Sequence, residues 1–189
     1  MPESWARWAC RGARVGREIQ QVLEGRGLTV LHDESLYDSP SYAGSYTRAL
    51  AGIQDYLARY PTIQVVIDVH RDALQEKDLT MYNTVTEIDG EPTAQVMLVM
   101  GSDQGGLSHP GWKSNLRLAA RLQQRMAERY PTLARPISLR ESRFNQHLTP
   151  GSLLVEVGTA VSTMEEAVRA GRLFADCAAD VLLQYVEEG

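Results

Sequence analysis

The chain is predicted to fold as one α/β domain, a mixed and mostly parallel central sheet flanked by helices on both faces. Apolar residues at helical spacing alternate along it with short β-branched runs. Its two most apolar runs, residues 63–69 (IQVVIDV) and 153–157 (LLVEV), have the near-continuous character of strands buried on both faces. No repeat, low-complexity run or linker divides the 189 residues, a length that suits a single core.

The elements follow in order. Residues 13–24 place Val15, Ile19, Val22 and Leu23 near helical spacing, and Gly25 and Gly27 close that helix. Residues 28–31 (LTVL) read as a short strand, followed by a loop rich in Asp, Ser and Pro. A second helix spans 42–59, with Tyr46, Leu50, Ile53 and Leu57 on one face and Pro61 beyond its end. After the strand at 63–69, residues 79–88 and 93–100 read as two paired strands about an Asp89-Gly90 turn. A third helix at 112–128 turns Leu116, Ala119, Ala120, Leu122 and Met126 inward. A short strand at 136–139, the buried strand at 153–157 and a closing helix at 165–186 complete the order.

Composition excludes several classes. A net charge of -5 without a basic cluster argues against a nucleic-acid partner. No run approaches the ~18 apolar residues that cross a membrane. The opening Met1-Pro2-Glu3-Ser4-Trp5 lacks the pattern of a signal peptide, which taken alone implies a cytoplasmic protein. Gly-x-Ser-x-Gly, phosphate-loop and dinucleotide fingerprints are all missing. The glycine-rich residues 101–106 lack the Lys and Ser or Thr of a phosphate loop and read as a mobile loop. Cys10 and Cys177, far apart, leave a disulfide open, with two idle thiols the expectation.

Two features cost folding energy and so point to chemistry. Asp68-Val69-His70-Arg71-Asp72 crowds ionisable groups at the carboxyl end of an apolar strand, where open α/β sheets place ligands. The alternative is a polar strand end whose charges pair among themselves. Glu156 lies inside an apolar strand, where a carboxylate costs several kcal/mol unless paired, metal-bound or protonated. It reads as a general base of raised pKa, or as a salt-bridged core carboxylate, with Arg71 the candidate partner. A catalytic zinc needs further donors. His147, in a polar loop before the Glu156 strand, is a candidate to approach the site, with a solvent-touching loop histidine the expectation, and His32 and His109 are expected to be structural.

These residues fall within a wider pattern. Residues 39–48 (SPSYAGSYTR), 60–72 (YPTIQVVIDVHRD), 109–116 (HPGWKSNL), 144–151 (FNQHLTPG) and 153–158 (LLVEVG) closely resemble, in order and over nearly the whole chain, the stage II sporulation protein P family. Those proteins are related to zinc-dependent N-acetylmuramoyl-L-alanine amidases. The resemblance implies a single amidase catalytic domain over residues 1–189, with His70 a zinc ligand and Glu156 the catalytic carboxylate. It implies hydrolysis of the amide between N-acetylmuramic acid and the L-alanine of the peptidoglycan stem peptide. Arg71 and Asn145 become candidates for orienting substrate. The family also implies a membrane-anchored protein acting outside the cytoplasmic membrane beside a glycan-cleaving sporulation protein.

The chain departs from the family at its start. Family domains open on a strand ending in a His-Thr-His-like motif and a following Glu, which supply further zinc ligands. No histidine precedes His32, and Glu3 has no partnering His before it. The expectation is therefore an amidase domain missing its first strand, with an incomplete zinc site, weak zinc affinity and poor hydrolysis. A binding module that keeps the peptidoglycan groove without the chemistry is the alternative. An unrelated α/β domain with structural His70 and Glu156 is the third reading.

Overall fold

A computed structural model describes residues 4–41, 43–74 and 80–187, giving the backbone alone at 4–11 and 186–187. Glu3, the Cys10 side chain and the predicted starts at Tyr42 and Leu79 therefore lie outside the described residues.

The helices are α1 (Ser4–Gly25), α2 (Ser45–Arg59), α3 (Trp112–Arg129) and α4 (Met164–Glu187). The strands are β1 (Val65–Asp72), β2 (Val85–Ile88), β3 (Glu91–Ala94), β4 (Val96–Gly101), β5 (Ser138–Arg140) and β6 (Gly151–Thr159). A four-stranded sheet runs in the order β1-β6-β4-β5, and β2 and β3 pair separately. β1 and β6 are parallel, as are β4 and β5, while β4 and β6 are antiparallel. The sheet is thus mixed and flanked by helices, the predicted class.

Strand periodicity divides the sheet into two unlike faces. Ile67, Val69, Leu153, Val155, Val157, Leu98 and Met100 join one apolar cluster with α1, α3 and α4. That layer closes on Val15, Ile19, Leu122, Met126 and Phe174, each under 5% exposed. Burying a side chain such as Phe174 contributes roughly 2–3 kcal/mol. Asp68, His70 and Glu156 alternate with those residues along the strands and so belong to the other face. α2 stands apart from the layer and buries none of its residues.

Four expectations are corrected. Residues 28–31 form no strand: Leu28 N–H closes the end of α1 on the Leu23 carbonyl, with Gly27 at φ 93°, and Leu28 and Val30 pack on the helical core. The run 93–100 is split, because Gln95 bonds to Thr84 and Thr132 and lets the chain pass from the hairpin into the main sheet. β1, expected to be covered on both faces, is half-buried along its length, since it ends the strand order. Ala120, expected inward, is exposed, while Asn115 is buried in its stead and donates to the Gln146 carbonyl at 2.7 Å.

Candidate functional site

β1 and β6 lie side by side and parallel, and their register sets His70 opposite Glu156. Both side chains belong to the polar face near the carboxyl ends of two parallel strands. Directly after this pair the register shifts, so that Asp72 meets Thr159. Gly158 makes the turn possible: at φ 68°, a Cβ there would lie 2.8 Å from the Ala94 Cβ and 2.7 Å from the Ser162 Oγ. The strand then hands over to α4 through a reciprocal cap, in which Glu166 N–H donates to the Thr163 hydroxyl and Thr163 N–H to the Glu166 carboxylate.

Burial dominates the electrostatics of Glu156 and pushes its carboxyl up to about 7, against a favourable pull from His70. Asp72 and Asp68 push it up further, and Arg135 pulls it down. Its Oε2 is buried without a hydrogen-bond partner. For His70, burial works against the cation, but the Asp68 hydrogen bond and the charges of Asp68, Glu156 and Asp38 outweigh it and raise the imidazole pKa. His70 Nε2 lies 2.8 Å from Asp68 Oδ1, with the two side chains 35% and 34% exposed. The result is a carboxyl that titrates near neutrality beside an imidazole.

The other predicted residues sit differently. Arg71 donates through Nη2 to the Thr159 carbonyl at 2.7 Å and the Ser162 carbonyl at 2.5 Å, bracing the turn after β6. The cations that act on Glu156 are His70 and Arg135. Asn145, at φ 57°, donates its Nδ2–H to the Tyr46 carbonyl at 2.8 Å and ties α2 to the loop before β6.

His147 lies on a single 3-10 turn, Gln146–Leu148, partly exposed as a residue, with its Nδ1 buried and unpartnered. It meets His109 edge-on at 6.5 Å, and His109 is 1% exposed. That pair is at the entrance of β6, roughly 16 Å along the strand from Glu156. His32 packs against Gly16 of α1 and approaches Glu34 at 3.6 Å. Cys177 is a free, buried thiol pushed up to about 11 by that burial.

Reading the sequence marked Asp72 among the ionisable residues ending β1 but missed Arg135. Arg135 Nη2 pairs with Asp72 Oδ2 at 2.8 Å, with side chains 14% and 19% exposed, and both act on Glu156. No motif marks Arg135, which arrives from the segment before β5. Asp72 was legible, since residues 68, 70 and 72 share one face of a strand.

The family model for stage II sporulation protein P matches residues 13–179, from within α1 to within α4 and including both strands. The chain belongs to the stage II sporulation protein P family. It is 30% identical over 173 residues to the stage II sporulation protein P of Bacillus subtilis (strain 168), an alignment covering 86% of this chain. The chain spans 41% of that relative's length. Membership in the stage II sporulation protein P family supports a sporulation-related role.

As for a zinc ion, His70 offers an imidazole donor and Glu156 an unpartnered carboxylate oxygen beside it. Among the described residues no three His, Cys, Asp or Glu side chains converge into a set that holds a metal. The described residues fit one side of a catalytic zinc site and not the whole of it.

Proposed function

We propose that this domain is the catalytic part of a peptidoglycan amidase that cleaves between N-acetylmuramic acid and the L-alanine of the stem peptide during sporulation. The observation that carries the reading is Glu156, a buried carboxyl raised to about 7, opposite His70 in a member of this family. A group of that pKa takes a proton near neutral pH and gives it back, the two transfers that amide hydrolysis requires. Glu156 accepts the proton of a water that adds to the lactyl carbonyl, then delivers it to the alanine nitrogen as the C–N bond breaks. Burial is what holds Glu156 at this pKa.

Zinc is the cofactor proposed, with His70 among its ligands; such an ion polarises a carbonyl and acidifies water when bound. The remaining donors would come from outside the described residues. Arg71 and Asn145 stay proposed as substrate-orienting. The site of action proposed is outside the cytoplasmic membrane, beside a glycan-cleaving sporulation protein.

A second reading, a peptidoglycan-binding module, is favoured by the partial donor set. Purified sacculi separate the two. Release of stem peptides that a chelator blocks and Glu156→Gln abolishes supports the amidase. Pull-down of the protein with sacculi, unaffected by Glu156→Gln and without peptide release, supports the binding module.

A further inference from the structure

We propose that Asp68 is the positioning residue of the site: its carboxylate accepts the Nε2–H of His70 and fixes the ring with its lone pair on Nδ1. The 2.8 Å separation of His70 Nε2 and Asp68 Oδ1 is a charge-assisted hydrogen-bond distance. It follows from the strand itself, since residues two apart point to the same face of β1. The neighbouring strand gives the pair its floor, because Asp68 is in register with Leu154, which is 2% exposed, and His70 with Glu156.

An imidazole carries one proton when neutral, and the hydrogen bond made by one nitrogen decides what the other can do. With Nε2 committed as donor to Asp68, Nδ1 is the nitrogen left to accept a proton, bind a ligand or coordinate an ion. Carboxylates behind functional imidazoles hold tautomer and ring orientation in this way. The role proposed for Asp68 is exerted through His70. The inference rests on the functional reading of His70 given above, but its test does not depend on peptidoglycan hydrolysis.

The test is a long-range proton–nitrogen correlation spectrum of the ¹⁵N-labelled, metal-free chain at alkaline pH. The expected result is a single His70 tautomer, protonated at Nε2, with a ring N–H shielded from exchange with water. Asp68→Ala loses that shielded proton and mixes the tautomers. Asp68→Asn keeps it, because an amide oxygen still accepts. A role in folding alone would lower the unfolding midpoint of Asp68→Ala and leave the tautomer unchanged. Protonation of wild-type His70 at Nδ1, or a freely exchanging ring N–H in the wild type, would overturn the proposal without any variant.

Adding zinc supplies a second arm. Perturbation of Nδ1, with the Nε2 proton retained, supports the assignment, and loss of the Nε2 proton to the metal contradicts it. If zinc perturbs neither nitrogen while the tautomer is as expected, the role of Asp68 stands and the zinc part of the proposed function is what fails.

Discussion

Glu156 is held in a place that disfavours its charge, and the cost has a sign that can be measured. Its carboxyl is raised from 4.5 to about 7, so the folded chain binds a proton that the unfolded chain has already released. Stability therefore falls as pH rises through that window, and above it the penalty is complete. Glu156→Gln carries no such penalty. In urea unfolding of the metal-free protein it should be more stable than wild type by on the order of 2 kcal/mol above neutral pH. The gap should close below roughly pH 4. If Glu156 is also the base, the same variant loses about 10²–10⁴-fold in hydrolysis. A variant that is more stable and inactive marks a functional carboxylate; one that is less stable marks a structural one. His70 and Glu156 were legible in the sequence because ionisable residues inside apolar strands are physically expensive. Arg135 was not, because its place beside Glu156 depends on a tertiary contact with Asp72.

At the level of elements, the site is held by two joints. Gly158 turns the chain out of β6 at φ 68° against Ala94 and Ser162. Gly158→Ala puts a methyl group into both strain and overlap and should cost about 3 kcal/mol, read as a lower urea midpoint with an unchanged slope. Gln146 acts as a substitute strand partner at the end of β4. Its Oε1 accepts from Gly101 N–H and its Nε2 donates to the Val99 carbonyl, both at 2.8 Å, while the residue is 2% exposed. Gln146→Ala strands two backbone groups and should cost about 3 kcal/mol by the same measurement. Gln146 also shows where sequence reading stops. A polar residue in FNQHL gives no sign that it completes a sheet, just as 93–100 gives no sign that Gln95 divides it. The helices and the strands β1 and β6 were legible because apolar patterning reports directly what is buried.

Across the whole molecule, ion pairs tie the helical layer together, and three of them meet at one carboxylate. Asp180 of α4 receives Arg26 from the end of α1 at 2.6 Å, and Arg125 and Arg129 from α3 at 2.6 and 3.0 Å. Burial alone would raise its carboxyl, but the hydrogen bonds from Arg26 and Arg125 outweigh that and set it below the usual carboxylate range. A carboxylate lowered on folding contributes stability at neutral pH and loses it as pH falls through the folded value. Asp180→Asn should therefore cost about 1–2 kcal/mol at neutral pH in chemical unfolding, with the difference fading in acid. This clamp joins the helices behind the sheet, on the side opposite His70 and Glu156.

The central claim is that this face hydrolyses the amide joining the glycan to its stem peptide. The most direct measurement is N-terminal analysis of what the zinc-supplemented protein releases from purified sacculi. New amino-terminal L-alanine, appearing with wild type and lost with Glu156→Gln, is the predicted result. Release of new glycan reducing ends, or L-alanine formed equally by Glu156→Gln, would contradict it.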